Sequence, residues 1–516
     1  MERNWKSSIE DLKQKREKIL EGGGKDRIAK QHDSGKLTAR ERIEALFDDG
    51  TFVEINDMLT SRATDFGMDK KRKTGDGVVT GYGYIHDRLA FVASQDFTVG
   101  GGALGEVQAQ RICRAMDKAL EMKAPFISIN DSGGARIEEG IDGLSGYGDI
   151  FYRNTMASGV IPQISVIMGP CAGGACYSPA ISDYIFMTEN TSQMYITGPQ
   201  VVKSVTGEEI SSAELGGAYV QSTISGVAHF VYSNDLDCLN GVRELLSYLP
   251  QNNEEKTLEV SGKTVDRCSD ITKIVPDNPK VAYDVRDVIE TFIDEDSFFE
   301  VQPDFARNIV VGFSRIDGKT VGIVANQSAY MAGSLEINAS DKGARFIRFC
   351  DCFNIPILTL VDVPAFLPGS QQEHSGIIRH GAKLLFAYSE ATVPKISVIM
   401  RKAYGGAYIA MNSKGIGADV VYAWPIAEIA VMGAAGAVTI IGKKAIECAE
   451  DKSAKKIELL NEYNEKFMNP YIAAEHGYVD EVILPFETRK RIVEALEMLE
   501  NKEKKIPCKK HGNIPL

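Results

Sequence analysis

Short runs of apolar residues alternate along the chain with amphipathic segments and glycine-rich turns. Residues 126–129 and 164–168 are apolar runs of strand length bounded by Pro or Gly, which is typical of strands buried on both faces. Residues 108–122 instead carry apolar side chains near helical spacing, with Lys and Glu between them, as in an amphipathic helix. The order strand, glycine-rich turn, helix, strand predicts an α/β layered fold.

The same pattern occurs twice in the chain. Pro-Gln-Ile-Ser-Val-Ile-Met at residues 162–168 recurs, 232 residues later, as Pro-Lys-Ile-Ser-Val-Ile-Met at residues 394–400. Gly-Gly-Ala follows each segment at the same offset. Nearer the N-terminus the offset is 246, which places some 15 extra residues in the first copy, in the polar stretch 62–77. A period above 200 residues indicates duplicated domains, whereas a solenoid would have a short period.

We therefore expect two tandem copies of one domain. A chain of 516 residues is also too long for one ordinary hydrophobic core. We place the domains at residues 1–258 and 259–516. The boundary is expected in the polar stretch 251–256, or in the tract after it up to Pro279.

The composition is that of a soluble globular protein, with 44% hydrophobic and 25% charged residues. A net charge of −13 argues against a nucleic-acid partner and means that an anionic ligand would need a local basic patch. The nine cysteines are scattered, so we predict core thiols in a reducing compartment and no metal site. The chain begins with a charged segment and has no apolar run long enough for a membrane span. We therefore expect a cytoplasmic protein.

The glycine pairs after two of the strands are the candidate chemistry. Glycine allows a ligand to approach the backbone closely, and the first N–H groups of a helix are unpaired at the positive end of its dipole. Gly173-Gly174 and Gly405-Gly406 could therefore each stabilise an oxyanion. A single such pair is more often a tight turn without a ligand, but two equivalent pairs favour binding. No Ser-His-Asp arrangement stands out among the seven histidines, so we expect the chemistry to depend on the backbone.

Many segments of the chain resemble, in order, the carboxyltransferase β-subunit family of biotin-dependent acyl-CoA carboxylases. The closest types are propionyl-CoA carboxylase β and the methylmalonyl-CoA decarboxylase α-subunit. In the first half the resemblance rests on Asp-Ser-Gly-Gly-Ala-Arg at 131–136 and Gly-Pro-Cys-Ala-Gly-Gly-Ala at 169–175. In the second half it rests on Gly-Ile-Ile-Arg-His-Gly-Ala at 376–382 and Arg-Lys-Ala-Tyr-Gly-Gly-Ala-Tyr at 401–408.

This resemblance implies two tandem crotonase-like (ClpP/crotonase) domains of the α/β class, assembled into a hexamer of stacked trimers. It implies that the first domain binds acyl-CoA and the second binds biotin. Gly173 and Gly174 would hold the thioester oxyanion, and Gly405 and Gly406 the ureido oxygen of biotin. Biotin itself would then be the base. The further residues that we expect to bind substrate are Ser132, Gly133, Gly134, Ala135, Arg136, Ala172, Tyr404 and Ile409.

The predicted enzyme is a biotin-dependent acyl-CoA carboxyltransferase that acts on a short acyl-CoA, with propionyl-CoA and methylmalonyl-CoA as the main pair. The nearest match to a biotin attachment sequence, Glu-Met-Lys-Ala at 121–124, ends a predicted helix, so biotin is expected on a separate carrier protein. A biotin carboxylase subunit would be a further partner. Three alternatives stay open: the subunit of a sodium-pumping decarboxylase with a membrane partner, a crotonase-like enzyme without biotin, and a non-enzymatic scaffold.

Overall fold

The computed structural model describes residues 4–260 and 266–516, and divides the chain into two compact units, Met1–Glu255 and Lys256–Leu516. The division lies in the polar stretch 251–256, three residues before the boundary between residues 258 and 259 at which we placed the domains. Residues 261–265 of the following tract, and residues 1–3 of the charged N-terminal segment, lie outside the described residues.

The first unit is built on an eight-stranded sheet with the strand order β1-β2-β3-β4-β5-β6-β8, in which β7 pairs with β5. The pairs from β3 to β8 are parallel, and β1 and β2 are added antiparallel. Its elements are α1 (Trp5–Leu20), α2 (Lys25–Asp33), α3 (Ala39–Leu46), β1 (Val53–Glu54), α4 (Met68–Lys71), β2 (Val78–Ile85), β3 (Arg88–Gln95), α5 (Glu106–Glu121), β4 (Phe126–Ser132), α6 (Ile141–Ala157), β5 (Gln163–Ala172), α7 (Tyr177–Ile181), β6 (Tyr184–Thr188), β7 (Gln193–Tyr195), α8 (Pro199–Thr206), α9 (Ser212–Gly216), β8 (Phe230–Tyr232) and α10 (Asp235–Tyr248).

The second unit repeats this plan, with the strand order β16-β14-β13-β12-β11-β10-β9 and β15 paired with β13. Its elements are α11 (Ile271–Ile274), α12 (Val285–Ile289), β9 (Phe299–Val301), β10 (Ile309–Ile316), β11 (Lys319–Asn326), α13 (Ile337–Cys352), β12 (Ile357–Val363), α14 (Ser370–Ser375), α15 (Ile377–Glu390), β13 (Lys395–Tyr404), α16 (Gly405–Ala410), β14 (Val420–Ala423), β15 (Glu428–Ala430), α17 (Ala434–Ile441), α18 (Lys443–Cys448), α19 (Lys452–Phe467), α20 (Pro470–Glu475), β16 (Glu481–Val482) and α21 (Thr488–Met498).

The two units share details that a chance likeness would not give. The pairing of β4 with β5 shifts register between Asn130 and Ser132, and the pairing of β12 with β13 shifts between Val361 and Val363. Each irregularity lies beside a buried aspartate, Asp131 or Asp362 respectively. The duplication read from the sequence is therefore present in the fold.

The predicted helix at residues 108–122 is observed as α5, Glu106–Glu121, whose apolar side chains pack into the core against the sheet. The predicted strand at 164–168 is part of the longer β5, which runs to the glycine turn. The sequence places the two glycine turns at the carboxyl ends of equivalent strands, where α/β folds bind ligands.

Candidate active site

The first glycine pair lies directly after β5. Gly173 and Gly174 open a short 3₁₀ turn, Gly173–Cys176, and the first N–H groups of such a turn have no acceptor within it. Gly173 has a φ of 63°, a left-handed conformation that glycine adopts without the steric cost of a Cβ. A Cβ added at Gly174 would lie 3.3 Å from the ring of Tyr147. The turn can present two N–H groups to an oxyanion.

The second glycine pair repeats this geometry after β13. Gly405 has a φ of 57° and opens α16. A Cβ added at Gly405 would lie 2.9 Å from the carbonyl oxygen of Val431, whereas at Gly406 it would meet no described atom within 4 Å. The space in front of Gly406 is therefore open to a ligand.

The loop at residues 131–136 is held mainly by hydrogen bonds to residues 101–104, which precede α5. Ser132 Oγ donates to the carbonyl oxygen of Gly102 at 2.7 Å, and the N–H of Gly133 donates to Gly101 at 3.0 Å. The N–H of Gly134 donates to Ser132 Oγ at 3.2 Å. These groups shape the loop, so its contribution to a ligand site comes from the surface that it forms.

Arg136 is likewise engaged within the first unit. Its Nη1 donates to Asp76 at 2.9 Å and to Glu139 at 2.7 Å, and its Nη2 donates to the carbonyl oxygen of Ala103 at 3.0 Å. The guanidinium is buried, and its charge is balanced by the two carboxylates.

A cavity of about 600 Å³ lies against this loop. Ala135 and Arg136, two of the residues expected to bind substrate, line it together with Gly100 and Asp76. Three basic side chains that the sequence analysis did not name also line it: Arg27, Arg72 and Lys73. Arg72 and Lys73 belong to the polar stretch 62–77, which the repeat offset had identified as extra sequence in the first copy. This cavity is a local basic patch on an acidic protein.

A second cavity, of about 460 Å³, lies beside the first glycine pair. It is lined by Cys176, Tyr177, Ala180, Met194, Tyr195, Ile196, Thr197, Val202, Leu215, Gln221 and Val227. Most of these side chains are apolar or aromatic, so a ligand in this cavity would be partly shielded from water.

Behind each glycine turn, at the end of the neighbouring strand, lies a fully buried carboxylate. Asp131 accepts hydrogen bonds from Lys36, Arg42 and Gln31, each at 3.0 Å. Asp362 accepts from Arg401 at 2.9 Å and from the backbone N–H of Lys402 at 3.1 Å. Because a buried charge is costly unless it is paired, these networks fix the strand ends from which the loops start.

The two copies supply the arginine from different elements. In the second unit Arg401 lies on β13 itself, whereas the equivalent position of β5 is Gly169. A Cβ at Gly169 would lie 1.9 Å from Asp131 Oδ1, and there Arg42 of α3 provides the guanidinium. The position equivalent to Arg42 is Val288. Each unit therefore has a buried arginine–aspartate pair, although the arginine comes from α3 in the first unit and from β13 in the second.

The remaining expected site residues lie at the ends of the same strands. Ala172 ends β5 and pairs with Tyr195, and Tyr404 ends β13 and pairs with Ala430. The Tyr404 hydroxyl donates a hydrogen bond to Glu428, and burial raises the pKa of Tyr404 well above its ordinary value. Ile409 is 40% exposed on α16, so it is not part of the core of its unit.

His229 is buried, and its Nδ1 accepts a hydrogen bond from the N–H of Ile185 at 3.1 Å, so this histidine is engaged within the first unit. Within residues 4–260 and 266–516, no group of three or more His, Cys, Asp or Glu side chains could hold a metal ion. None of the described helices is long and apolar enough to cross a membrane.

Comparison with known proteins places this geometry in a family. The carboxyl transferase domain model matches residues 30–514. The carboxyltransferase subunit of propionyl-CoA carboxylase from Haloferax mediterranei is 59% identical over 510 residues, which cover 98% of this chain and 99% of that protein. Methylmalonyl-CoA decarboxylase subunit alpha from Propionigenium modestum is 57% identical over 511 residues, with 98% and 99% covered.

Among solved structures, transcarboxylase 12S has a TM-score of 0.97 and 52% identity, covering 100% of this chain and 99% of that one. That protein is described as a hexamer and was solved with methylmalonyl-coenzyme A and methylmalonic acid bound. The likeness confirms the predicted fold of two tandem crotonase-like α/β domains. The predicted enzyme class is confirmed as well, and this chain belongs to the carboxyl transferase domain family.

Proposed function

We propose that this chain transfers a carboxyl group between biotin on a separate carrier protein and the α-carbon of a short acyl-CoA. The main substrate pair in this proposal is propionyl-CoA and methylmalonyl-CoA. The observation that carries it is the occurrence of one left-handed glycine turn after the same strand in both units, at Gly173 and Gly405. Two species that develop negative oxygen need two such turns. The choice of acyl group is supported by the similarity to subunits of propionyl-CoA carboxylase and methylmalonyl-CoA decarboxylase.

On the acyl-CoA side, the N–H groups of Gly173 and Gly174 donate to the thioester oxygen. That oxygen gains charge as the α-proton leaves, so the hydrogen bonds are stronger in the transition state than in the bound substrate. The left-handed φ of 63° at Gly173 sets the direction of the N–H groups of the turn, and donors that are already oriented need little reorganisation as the charge develops.

On the other side, the residues present fit a biotin ring. Gly405 and Gly406 offer N–H groups, and the open space at Gly406 accommodates a flat ligand. Biotin, when bound, supplies the transferable carboxyl group and the base. The hydrogen bond from Tyr404 to Glu428 joins the end of β13 to β15 and so holds the turn in place.

The phosphates of CoA are assigned to the 600 Å³ cavity. Arg27, Arg72 and Lys73 line it, whereas the chain as a whole carries a net charge of −13. Hydrogen bonds to charged groups contribute about 1.5–3 kcal/mol each, so these three side chains could anchor the nucleotide end of the substrate.

The proposal includes assembly and location. A homo-hexamer is supported by the hexamer described for transcarboxylase 12S. A biotin carboxyl carrier and a biotin carboxylase subunit would complete a carboxylase. All nine cysteines are free thiols, which supports a location in the reducing cytoplasm.

A second candidate is the carboxyltransferase subunit of a sodium-pumping methylmalonyl-CoA decarboxylase. It is favoured by the 57% identity to a methylmalonyl-CoA decarboxylase subunit alpha. Reconstitution decides between the two: a carboxylase requires the biotin carboxylase subunit and ATP, and the pump requires a membrane subunit and sodium.

The proposed transfer is tested by the partial reaction. We expect the purified chain, given free biotin and methylmalonyl-CoA without ATP, to release CO₂ and form propionyl-CoA, because ATP is needed only to charge biotin. Omission of biotin is the control. A strict requirement for ATP, or equal turnover without biotin, would show that the proposal is wrong.

A further inference from the structure

Three cations of the first unit face one cavity without a carboxylate partner. Arg27, Arg72 and Lys73 line the cavity of about 600 Å³. Arg27 Nη1 donates to the carbonyl oxygen of Thr98 at 3.0 Å, and Arg72 Nη2 donates to that of Ala63 at 3.3 Å. In the part of the chain that the structure describes, none of the three side chains forms an ion pair with Asp or Glu. Their positive charge is therefore left for a ligand.

The other charged side chains around the cavity do not remove this excess of positive charge. The Arg136 guanidinium is balanced by Asp76 and Glu139, so these three groups together contribute little attraction for an anion. The remaining carboxylate of the lining is Glu138, so three cations stand against one carboxylate. Because the chain as a whole carries a net charge of −13, this cavity is a local site to which a multivalent anion is drawn.

The cavity is larger than a phosphate ion needs and has an apolar wall. Its volume lies in the range of about 300–1,000 Å³ that is usual for small-molecule sites. Met68, Val99 and Ile137 contribute apolar side chains to the lining. A nucleobase has apolar faces that pack against such side chains, and its phosphates pair with Arg and Lys. Cations and an apolar wall in one cavity therefore fit a nucleoside phosphate.

We propose that this cavity is a regulatory site at which free nucleoside 5′-diphosphates, of which ADP is the most similar to CoA, exclude acyl-CoA. The inference rests on the proposed function, which assigns the phosphates of CoA to the same cavity. The nucleotide end of CoA is an adenosine with a 5′-diphosphate and a 3′-phosphate. ADP carries the same base and diphosphate without the pantetheine and the acyl group. Because the contacts to the phosphates do not depend on the thioester, ADP competes with acyl-CoA.

This competition links carboxyl transfer to the energy supply of a carboxylase. In the carboxylase arrangement of the proposed function, charging of biotin consumes ATP and releases ADP. Mg²⁺ binds through the phosphates of ATP and neutralises charge that Arg27, Arg72 and Lys73 would otherwise meet. ADP has one phosphate fewer, holds Mg²⁺ less tightly and so keeps more of its charge for the cavity. A rise in ADP at constant acyl-CoA therefore slows the transfer.

The site is tested by calorimetry of the full chain with ADP, adenosine, inorganic pyrophosphate and the magnesium complex of ATP. We expect ADP to bind most tightly, because it alone combines the base with a diphosphate whose charge is largely free. In the ATP-free reaction with biotin, ADP at ten times its dissociation constant should raise KM for methylmalonyl-CoA about 11-fold and leave kcat unchanged. Turnover of methylmalonyl-pantetheine, which has no nucleotide, should be unaffected by ADP.

Arg72→Glu should weaken the binding of ADP about 10- to 100-fold, whereas Lys118→Glu, a change in a different cavity of the first unit, should bind ADP like the wild type. The proposal is overturned if ADP does not bind, if pyrophosphate binds as tightly as ADP, or if ADP slows methylmalonyl-pantetheine turnover to the same extent. Turnover without any nucleotide is measured first, so failure of the proposed function would be seen before ADP is added.

Discussion

Single residues of this chain are best understood by comparing each with its counterpart in the other copy. Arg42 and Arg401 donate hydrogen bonds to equivalent aspartates from different elements. The position equivalent to Arg42 in the second copy is Val288, and the position equivalent to Arg401 in the first copy is Gly169. Periodicity could not reveal this pairing, because Arg42 and Asp131 are 89 residues apart. The glycine turns could be predicted, since Gly173 and Gly405 closely follow apolar runs of strand length in the sequence. In the structure both glycines have a positive φ.

Ile409 is the residue that we expect to set the acyl-chain preference. The family resemblance implies that the residue after Ala-Tyr-Gly-Gly-Ala-Tyr lies beside the acyl tail, which must approach the biotin bound at Gly405 and Gly406 for the carboxyl group to be transferred. It lies on α16, three residues after Gly406, and is 40% exposed within its own unit, so it is free to line a ligand pocket. A buried methylene contributes about 0.8 kcal/mol, and apolar pockets discriminate one methylene by roughly 10- to 200-fold. We therefore predict high kcat/KM for propionyl-CoA, measurable activity with butyryl-CoA and poor activity with acetyl-CoA.

The substitution Ile409→Asp should shift this order towards acetyl-CoA, because a carboxylate disfavours an alkyl tail beside it. Leu236→Asp is the matched control, since Leu236 is 52% exposed on α10, away from the glycine turns. If kcat/KM for the three substrates keeps its order in a folded Ile409→Asp protein, Ile409 does not line the acyl pocket.

At the scale of elements, the sequence predicted what local patterns determine. The amphipathic spacing of 108–122 gave α5, and the repeated Pro-bounded segments gave β5 and β13. The stretch 62–77 was recognised only as extra sequence, because it has no counterpart in the second copy from which its role could be read. In the structure it includes α4 and brings Arg72 and Lys73 to the cavity next to the loop at 131–136.

We predict that Arg72→Glu and Lys73→Glu each raise KM for propionyl-CoA with little change in kcat, because the CoA phosphates are remote from the reacting carbon. The expected rise in KM is about 10- to 100-fold for each substitution, because a hydrogen bond to a charged group contributes about 1.5–3 kcal/mol. Propionyl-pantetheine, which lacks the nucleotide and its phosphates, should be used equally well by both variants and the wild type.

Lys118→Glu on α5 is the control for nonspecific charge, since Lys118 lines a different cavity of the first unit. An equal rise in KM for Lys118→Glu, or an equal loss with propionyl-pantetheine, would show that Arg72 and Lys73 do not bind the phosphates.

At the scale of the whole molecule, the duplication provides the two glycine turns that the proposed function requires, one for the thioester oxygen and one for the ureido oxygen of biotin, with biotin as the proposed base. Each unit contributes one strand, one buried aspartate and one glycine turn. The duplication could be recognised in the sequence because the repeated segments that contain the two turns are separated by a constant 232 residues. The copies differ in other surroundings of the turns: the basic cavity belongs to the first copy, and the Tyr404–Glu428 pair belongs to the second.

The most direct test of this division of roles is a pair of binding titrations on Gly174→Ala and Gly406→Val. Alanine is used at Gly174 because even its Cβ would lie 3.3 Å from the ring of Tyr147, and a larger side chain would clash. Gly148→Ala, on α6 with no described atom within 4 Å of its Cβ, is the control. Calorimetry with methylmalonyl-CoA and with free biotin, alongside ATP-free turnover, gives the readout.

We predict that Gly174→Ala weakens the binding of methylmalonyl-CoA and retains that of biotin, that Gly406→Val does the reverse, and that each lowers turnover by about 10²–10³. Gly148→Ala should change neither binding nor turnover. If the two site variants show the same defect towards both ligands, the assignment of acyl-CoA to the first copy and biotin to the second is contradicted.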